Sequence, residues 1–298
     1  MTVVFHFDGS DALRARLGDV ILCPESDPAA FERLLAEVEV LWHVLKPVTA
    51  GIIAHAPKLK LIQKIGTGVN TIDLEAAKAR GIAVCNMPGT NSRAVAEMTL
   101  ALMLACLRRL PDLNQKVREP DGWYRAWDLQ DHFGELGGRT VGLVGYGAIP
   151  RILRGILEAM DAKVLYWSRS QKNAEFDVLL RTSDIVCLHL PLTAETKNVV
   201  NPLRMKAGAI LINTARGGLV DQDSLLRALK GGHLAAAGLD VFAEEPVPPG
   251  HPLLGLQNVI CAPHVGWLTR ETLERSIKAA AENVRRLRAG EPLLNRVA

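Results

Sequence analysis

The 298-residue sequence predicts a two-domain α/β protein whose larger part is a doubly wound parallel sheet covered by helices. Three observations carry this. Short β-branched runs alternate with longer helical patterns along the chain. The runs after Arg139 are apolar on both faces, as strands buried between helix layers are. The length is also about twice the ~150 residues of an average single domain. Lys and Arg (35) nearly balance Asp and Glu (32), and the net charge of +3 is dispersed, so no nucleic-acid partner is expected. A composition of 48% hydrophobic and 22% charged residues excludes a disordered or fibrous chain.

In chain order, Val3 to Phe7, Leu61 to Ile65 and Ile82 to Cys85 read as buried strands, with helices from Ala29 to Val38 and Leu74 to Arg80 between them. Asn91 and Ser92 suit the cap of a helix in which Val95, Met98, Leu102 and Cys106 recur at helical spacing. Its most apolar stretch, Met98 to Leu107, has about half the ~20 residues that a membrane span requires, so no membrane partner is expected. The apolar excess from Val95 to Leu110 predicts an interface, and with it a symmetric homodimer. Glu119 to Phe133, holding Trp123, Tyr124 and Trp127, reads as an irregular connection. Six strands follow: Thr140 to Val144, Lys163 to Trp167, Ile185 to Leu188, Ala209 to Asn213, Gly238 to Val241 and Val259 to Cys261. Three prolines make Glu244 to His251 a surface loop, and a last helix through Thr272, Ile277, Ala280, Val284 and Leu287 stops at Gly290.

The five cysteines are odd in number and scattered, and four sit in apolar surroundings, which suits buried thiols in a reducing cytoplasm. Met1 to Asp8 has no basic region followed by an apolar core, so no export signal is expected. No Cys-x-x-Cys or His-x-x-x-His spacing occurs, and no metal site is expected.

Val141 to Pro150 places Gly145-Tyr146-Gly147 after an apolar strand and before a helical pattern. There Gly145 permits a tight turn, Gly147 admits a pyrophosphate, and the amides that follow, at Ala148 and Ile149, meet its charge. Pro150 replaces the usual third glycine; it is tolerated in a first helical turn but crowds the helix against the strand. About twenty residues on, where a carboxylate accepts from the ribose of NAD, stands Ser168-Arg169-Ser170. A guanidinium flanked by hydroxyls suits a 2′-phosphate instead, so NADP is the preferred cofactor expected and NAD the other candidate.

Together with this turn, three segments closely resemble the D-isomer-specific 2-hydroxyacid dehydrogenase family. They are Asn213-Thr214-Ala215-Arg216-Gly217-Gly218, Gly238-Leu239-Asp240-Val241-Phe242-Ala243-Glu244-Glu245-Pro246 and Ala262-Pro263-His264-Val265-Gly266. Gly66-Thr67-Gly68-Val69-Asn70 resembles the family's substrate loop, and Val95 to Thr99 its domain-crossing helix. The resemblance implies a Rossmann-type dinucleotide-binding domain, residues 93–266. It also implies a smaller flavodoxin-like substrate domain built from both chain ends, residues 1–92 and 267–298. It further implies an NAD(P)-dependent enzyme, usually a homodimer, that interconverts a small 2-keto acid and a D-2-hydroxy acid, in the manner of glyoxylate or hydroxypyruvate reductases.

Carried over position by position, the resemblance makes Arg216 the substrate anchor, Glu245 the partner of the catalytic histidine and His264 the acid/base. The chemistry requires these types. Hydride addition to a carbonyl needs an acid beside the oxygen, a carboxylate favours the imidazolium, and a guanidinium grips the substrate carboxylate. Gly68, Val69 and Asn70 would hold that carboxylate through their backbone. Thr99, Leu190, Pro191, Thr196, Thr214 and Ala215 resemble coenzyme contacts, with Asp240 at the nicotinamide amide. Two departures stand out: the segment between Ser170 and Asp184 is short, trimming the adenine side, and Trp267 replaces a small residue, shaping the substrate pocket or a dimer contact. A corepressor-like binding protein and a phosphite dehydrogenase remain alternatives on the same fold. A methyltransferase has no use for Arg216, Glu245 and His264, and formate oxidation in this family tends to use Gln at the Glu245 position.

Overall fold

The computed structural model describes residues 1–298. The chain divides into two units, Met1–Asn91 with Thr269–Ala298, and Ser92–Leu268. The first contains β1 (Val3–His6), β2 (Ile21–Cys23), β3 (Val40–His43), β4 (Leu61–Lys64) and β5 (Ala83–Cys85). They form a parallel sheet in the order β2-β1-β3-β4-β5. Every residue of β1, β3, β4 and β5 is buried, because helices cover both faces. Val4, Leu41, Ile62 and Val84 meet Phe31, Leu35 and Ile53 in one core.

Sequence patterning misses two strands here. The run from Val38 to Val44 is continuously apolar apart from Glu39 and His43, so its period does not separate β3 from the end of the preceding helix. That helix stops at Leu35 rather than Val38. β2 has three residues and an exposed first position, too short to register as a pattern. Helix starts follow local chemistry: Asp27, Asp73 and Thr269 each accept an amide of the first turn, the last capping Arg270–Ala289, which ends at left-handed Gly290.

The second unit holds β6 (Thr140–Val144), β7 (Lys163–Trp167), β8 (Ile185–Leu188), β9 (Ala209–Asn213), β10 (Leu234–Leu239) and β11 (Val259–Cys261). All are parallel, in the order β11-β10-β9-β8-β6-β7. Five of these strands lie where the sequence predicts. β10 begins and ends earlier than Gly238 to Val241, because the register with β9 draws the alanine-rich stretch Ala235 to Ala237 into the sheet despite its low strand propensity. β7 is an outer strand. The short segment after it makes one antiparallel bridge, Trp167 with Lys172, and one helix, Phe176–Thr182, before the chain enters β8 on the opposite side of β6.

Two further expectations change. Glu119 to Phe133 is not irregular: Gly122–Arg125 is α-helical and Ala126–His132 is a 3-10 helix. Trp123, Tyr124 and Trp127 on them are 67%, 77% and 71% exposed. The apolar character of Ser92–Arg108 is largely consumed within its own unit. Ala96, Leu102, Met103, Cys106 and Leu107 are buried against Leu153 and Leu157 of the Ala148–Ala159 helix and against the sheet. That helix is therefore core, and its apolarity does not by itself mark an interface.

Candidate active site

The chain reverses direction across the sheet between β6 and β8, and in open parallel sheets ligands bind in the crevice at such a switch, beyond the carboxyl ends of the strands. Gly145 leaves β6 with φ +102°, and a Cβ there would stand 2.6 Å from the His189 carbonyl group that follows β8. Only glycine fits. A Cβ on Gly147 would meet nothing within 4 Å, and Gly147 precedes Ala148–Ala159 without a side-chain cap. The amides of Ala148 and Ile149 donate to no group of the chain, and Pro150, buried at the third helical position, has none to lose. An open backbone cradle with unused amides at the start of a 12-residue helix fits a dinucleotide pyrophosphate.

The turn after β7 is closed by its own side chains. The Ser168 hydroxyl donates to the Gln171 carbonyl and accepts from the Gln171 amide, so its proton is spent within the turn. Arg169 and Ser170 beside it are both exposed. Sequence reasoning missed Arg151, whose guanidinium donates to Gln171 Oε1 at 2.8 Å and lies over the Tyr146 ring. Tyr146 in turn stacks on Tyr166 with ring centroids 3.8 Å apart. Thr196 binds the Pro191 carbonyl at 2.7 Å and accepts the Thr193 amide, which shapes the loop running on from Leu190.

At the end of β9, Thr99 donates to the Val95 carbonyl, so the 2.8 Å contact with Thr214 is a bond that Thr214 donates. Asn213, which the sequence reading left without a role, folds the next turn: its side chain accepts the Ala215 amide and donates to the Arg216 carbonyl. Arg216 donates to the Ala215 carbonyl at 2.6 Å. A Cβ on Gly217 would fall 1.9 Å from the Phe242 carbonyl carbon, so this turn seats directly on the segment that carries Glu245.

The Glu245 carboxylate is held at both oxygens, one accepting the Phe242 amide at 2.8 Å and the other facing His264 Nδ1 at 2.6 Å. Burial pushes its pKa up, but the His264 bond and charge, the Phe242 amide and Arg216 outweigh this and hold it below the ordinary carboxylate value. His264 has φ +56°, a conformation uncommon for histidine. Asp240 enforces it: its carbonyl accepts the His264 amide, and its buried carboxylate accepts those of Val265 and Gly266. Burial raises the Asp240 pKa, and these two amides oppose the rise. Nδ1 is thereby committed to Glu245, and Nε2 makes no hydrogen bond within the chain. Burial also lowers the Arg216 pKa against the field of Glu245, though a guanidinium stays charged at any working pH.

Arg216, Glu245 and His264 thus sit beside the crevice within one unit, linked through Asn213, Phe242 and Asp240. Trp267 is buried at the end of the same unit. Gly68, Val69 and Asn70 follow β4 in the other. The model for the D-isomer specific 2-hydroxyacid dehydrogenase NAD binding domain matches residues 100–266. The chain belongs to the D-isomer specific 2-hydroxyacid dehydrogenase family. It is an oxidoreductase with an NAD binding domain.

A glyoxylate reductase of Aeropyrum pernix is 38% identical over 292 residues, covering 91% of this chain and 87% of the relative. One of Thermofilum pendens is 39% identical, covering 92% and 86%. Among solved structures, the TT0316 protein of Thermus thermophilus aligns over all of both chains with a TM-score of 0.89 at 37% identity. No helix is long and apolar enough to cross a membrane.

Proposed function

We propose that this dehydrogenase reduces a small 2-keto acid of the glyoxylate or hydroxypyruvate class to its D-2-hydroxy acid, preferring NADPH. The observation that carries the reading is the Glu245–His264 pair beside Arg216. Glu245 fixes the ring so that Nε2 is the nitrogen left to act. With the pyrophosphate of the dinucleotide held on the Gly145 to Ile149 cradle, its nicotinamide would supply hydride to the carbonyl carbon. His264 Nε2 gives its proton to the carbonyl oxygen as the C–O π bond breaks, and recovers a proton from solvent afterwards. Arg216 binds the substrate carboxylate and steadies charge on the oxygen. In the reverse direction His264 removes the hydroxyl proton.

Arg169, Ser170 and Arg151 are the groups we assign to a 2′-phosphate, since charge-assisted donors cluster there and no carboxylate ends β7. We also propose a homodimer, on the exposed trio Trp123, Tyr124 and Trp127 rather than on the apolar helix. A panel of glyoxylate, hydroxypyruvate, pyruvate and bulkier 2-keto acids, assayed with NADPH and NADH, tests the reading. Turnover of glyoxylate or hydroxypyruvate with the higher kcat/KM for NADPH is expected; no turnover of any keto acid contradicts it.

A further inference from the structure

The turn from Gly145 to Gly147 carries one side chain that a backbone cradle does not need. Tyr146 is half-buried, and its ring stacks on that of Tyr166 in β7, with centroids 3.8 Å apart and planes 14° apart. Two arginines of the Ala148–Ala159 helix close on this pair, three residues apart and so neighbours on its surface. Arg151 Cζ lies 5.0 Å from the Tyr146 ring centroid, and Arg154 Cζ lies 5.4 Å from that of Tyr166. All four residues belong to the unit Ser92–Leu268.

The two arginines are used differently. Arg154 is spent: Nε donates to Glu158 at 2.6 Å, and Nη1 donates to the Tyr146 hydroxyl at 3.0 Å. Arg151, which is exposed, pairs with no carboxylate. Its side chain makes one hydrogen bond, from Nη2 to Gln171 Oε1 at 2.8 Å, and the other N–H groups of the guanidinium have no acceptor in the chain. Gln171 offers that oxygen from a fixed place. Its amide binds the Ser168 hydroxyl, and its carbonyl accepts the Ser168 amide and hydroxyl, so it closes the turn that carries Arg169. A ring and an amide oxygen thus hold Arg151 in one geometry without neutralising it. An exposed arginine ordinarily loses rotamer freedom when it grips an anion, and a side chain ordered beforehand does not. An ordered, unpaired guanidinium with free donors suits a phosphate.

We propose that Tyr146 is a positioning residue that holds Arg151 at the turn after β7, where Arg151 and Arg169 together select an adenosine bearing a 2′-phosphate. The inference rests on the NADPH reading above. It adds a residue between the two glycines that sets coenzyme choice through its ring face, acting on Arg151 rather than on the ligand. Tyr166 backs the ring from β7, and Gln171 is the second hold on the guanidinium.

The test is calorimetric binding of 2′-phospho-ADP-ribose and of ADP-ribose, which differ only in that phosphate, so the ratio of their Kd values isolates it. Tyr146→Leu should cut the preference for the phosphorylated ligand about threefold, the scale of one exposed cation–π contact, and Tyr146→Phe, which keeps the ring, should restore it. Arg151→Met should cut the preference about tenfold or more. Adding Tyr146→Leu to Arg151→Met should lower it no further, because the ring acts through the guanidinium. A Tyr146→Leu chain that weakens both ligands equally, or neither, overturns the proposal. So does a double variant whose ratio falls below that of Arg151→Met by the full effect of Tyr146→Leu. If Tyr146→Leu does not fold, Tyr146→Met decides by the same ratio. A wild type that binds ADP-ribose at least as tightly sinks the NADPH reading and the proposal with it, whereas a wild type that prefers the phosphate beside an unmoved Tyr146→Leu sinks the proposal alone.

Discussion

Replacing Glu245 by Gln removes an acceptor from a point where two donors converge. The Phe242 amide and His264 Nδ1 each meet a separate oxygen, at 2.8 and 2.6 Å. Glutamine has one carbonyl oxygen. If that oxygen keeps the Phe242 amide, the new NH2 confronts His264, which must move its proton to Nε2 and accept at Nδ1. If it turns to His264, the NH2 confronts an amide N–H. Either way the charge-assisted bond to the ring is lost, and bonds of that kind contribute about 1.5–3 kcal/mol. The orientation of His264 matters when the proton is transferred, so kcat/KM for glyoxylate should fall about 10- to 150-fold, with most of the loss in kcat. Coenzyme affinity should stay within about twofold, because the Gly145 to Ile149 cradle is untouched. The assay is steady-state reduction at saturating coenzyme, with coenzyme binding measured by fluorescence titration. A Glu245→Gln enzyme within twofold of wild type would refute the argument that this carboxylate orients the ring.

Three further outcomes are expected. Arg169→Asp should reverse the coenzyme preference, seen as a lower kcat/KM for NADPH than for NADH; a wild type that already favours NADH sinks the 2′-phosphate assignment. His6 and His43 are both buried and held neutral, at about 4 and about 2, by burial first and by neighbouring lysines second. Their folded values lie below the unfolded value near 6.5, so the unfolded chain binds more protons as pH falls. Together they should cost about 2.5 kcal/mol of stability between pH 7 and 5.5, read from urea unfolding. His6→Gln should remove roughly half of that loss, and an unchanged pH dependence would contradict the neutral assignment. Replacing Trp123 and Trp127 together by Ser should convert dimer to monomer in light scattering at micromolar concentration; a wild type that is already monomeric there removes the homodimer.

The larger sheet is legible in the sequence because each of its strands is a short apolar run bounded by turn residues, and five of six fall where the pattern puts them. β10 is displaced because cross-strand register, which no local pattern records, recruits Ala235 to Ala237. β3 is hidden because a run buried on both faces has no period to read. The Arg216, Glu245 and His264 set is legible through motif order. What holds those residues is not: Asn213 and Asp240 act through backbone groups, and only the folded chain shows which amides they accept. The apolar helix Ser92–Arg108 shows that composition alone cannot separate a core face from an interface.

The account turns on proton delivery by His264, and single-turnover reduction of glyoxylate by His264→Ala tests it most directly. Nε2 is the ring nitrogen left unbonded by the chain, Nδ1 being held at 2.6 Å by Glu245. Removing the ring should therefore lower the rate of the chemical step about 10²-fold or more while coenzyme affinity remains within about twofold of wild type. A His264→Ala enzyme that binds coenzyme normally and reduces glyoxylate at the wild-type rate would contradict the account.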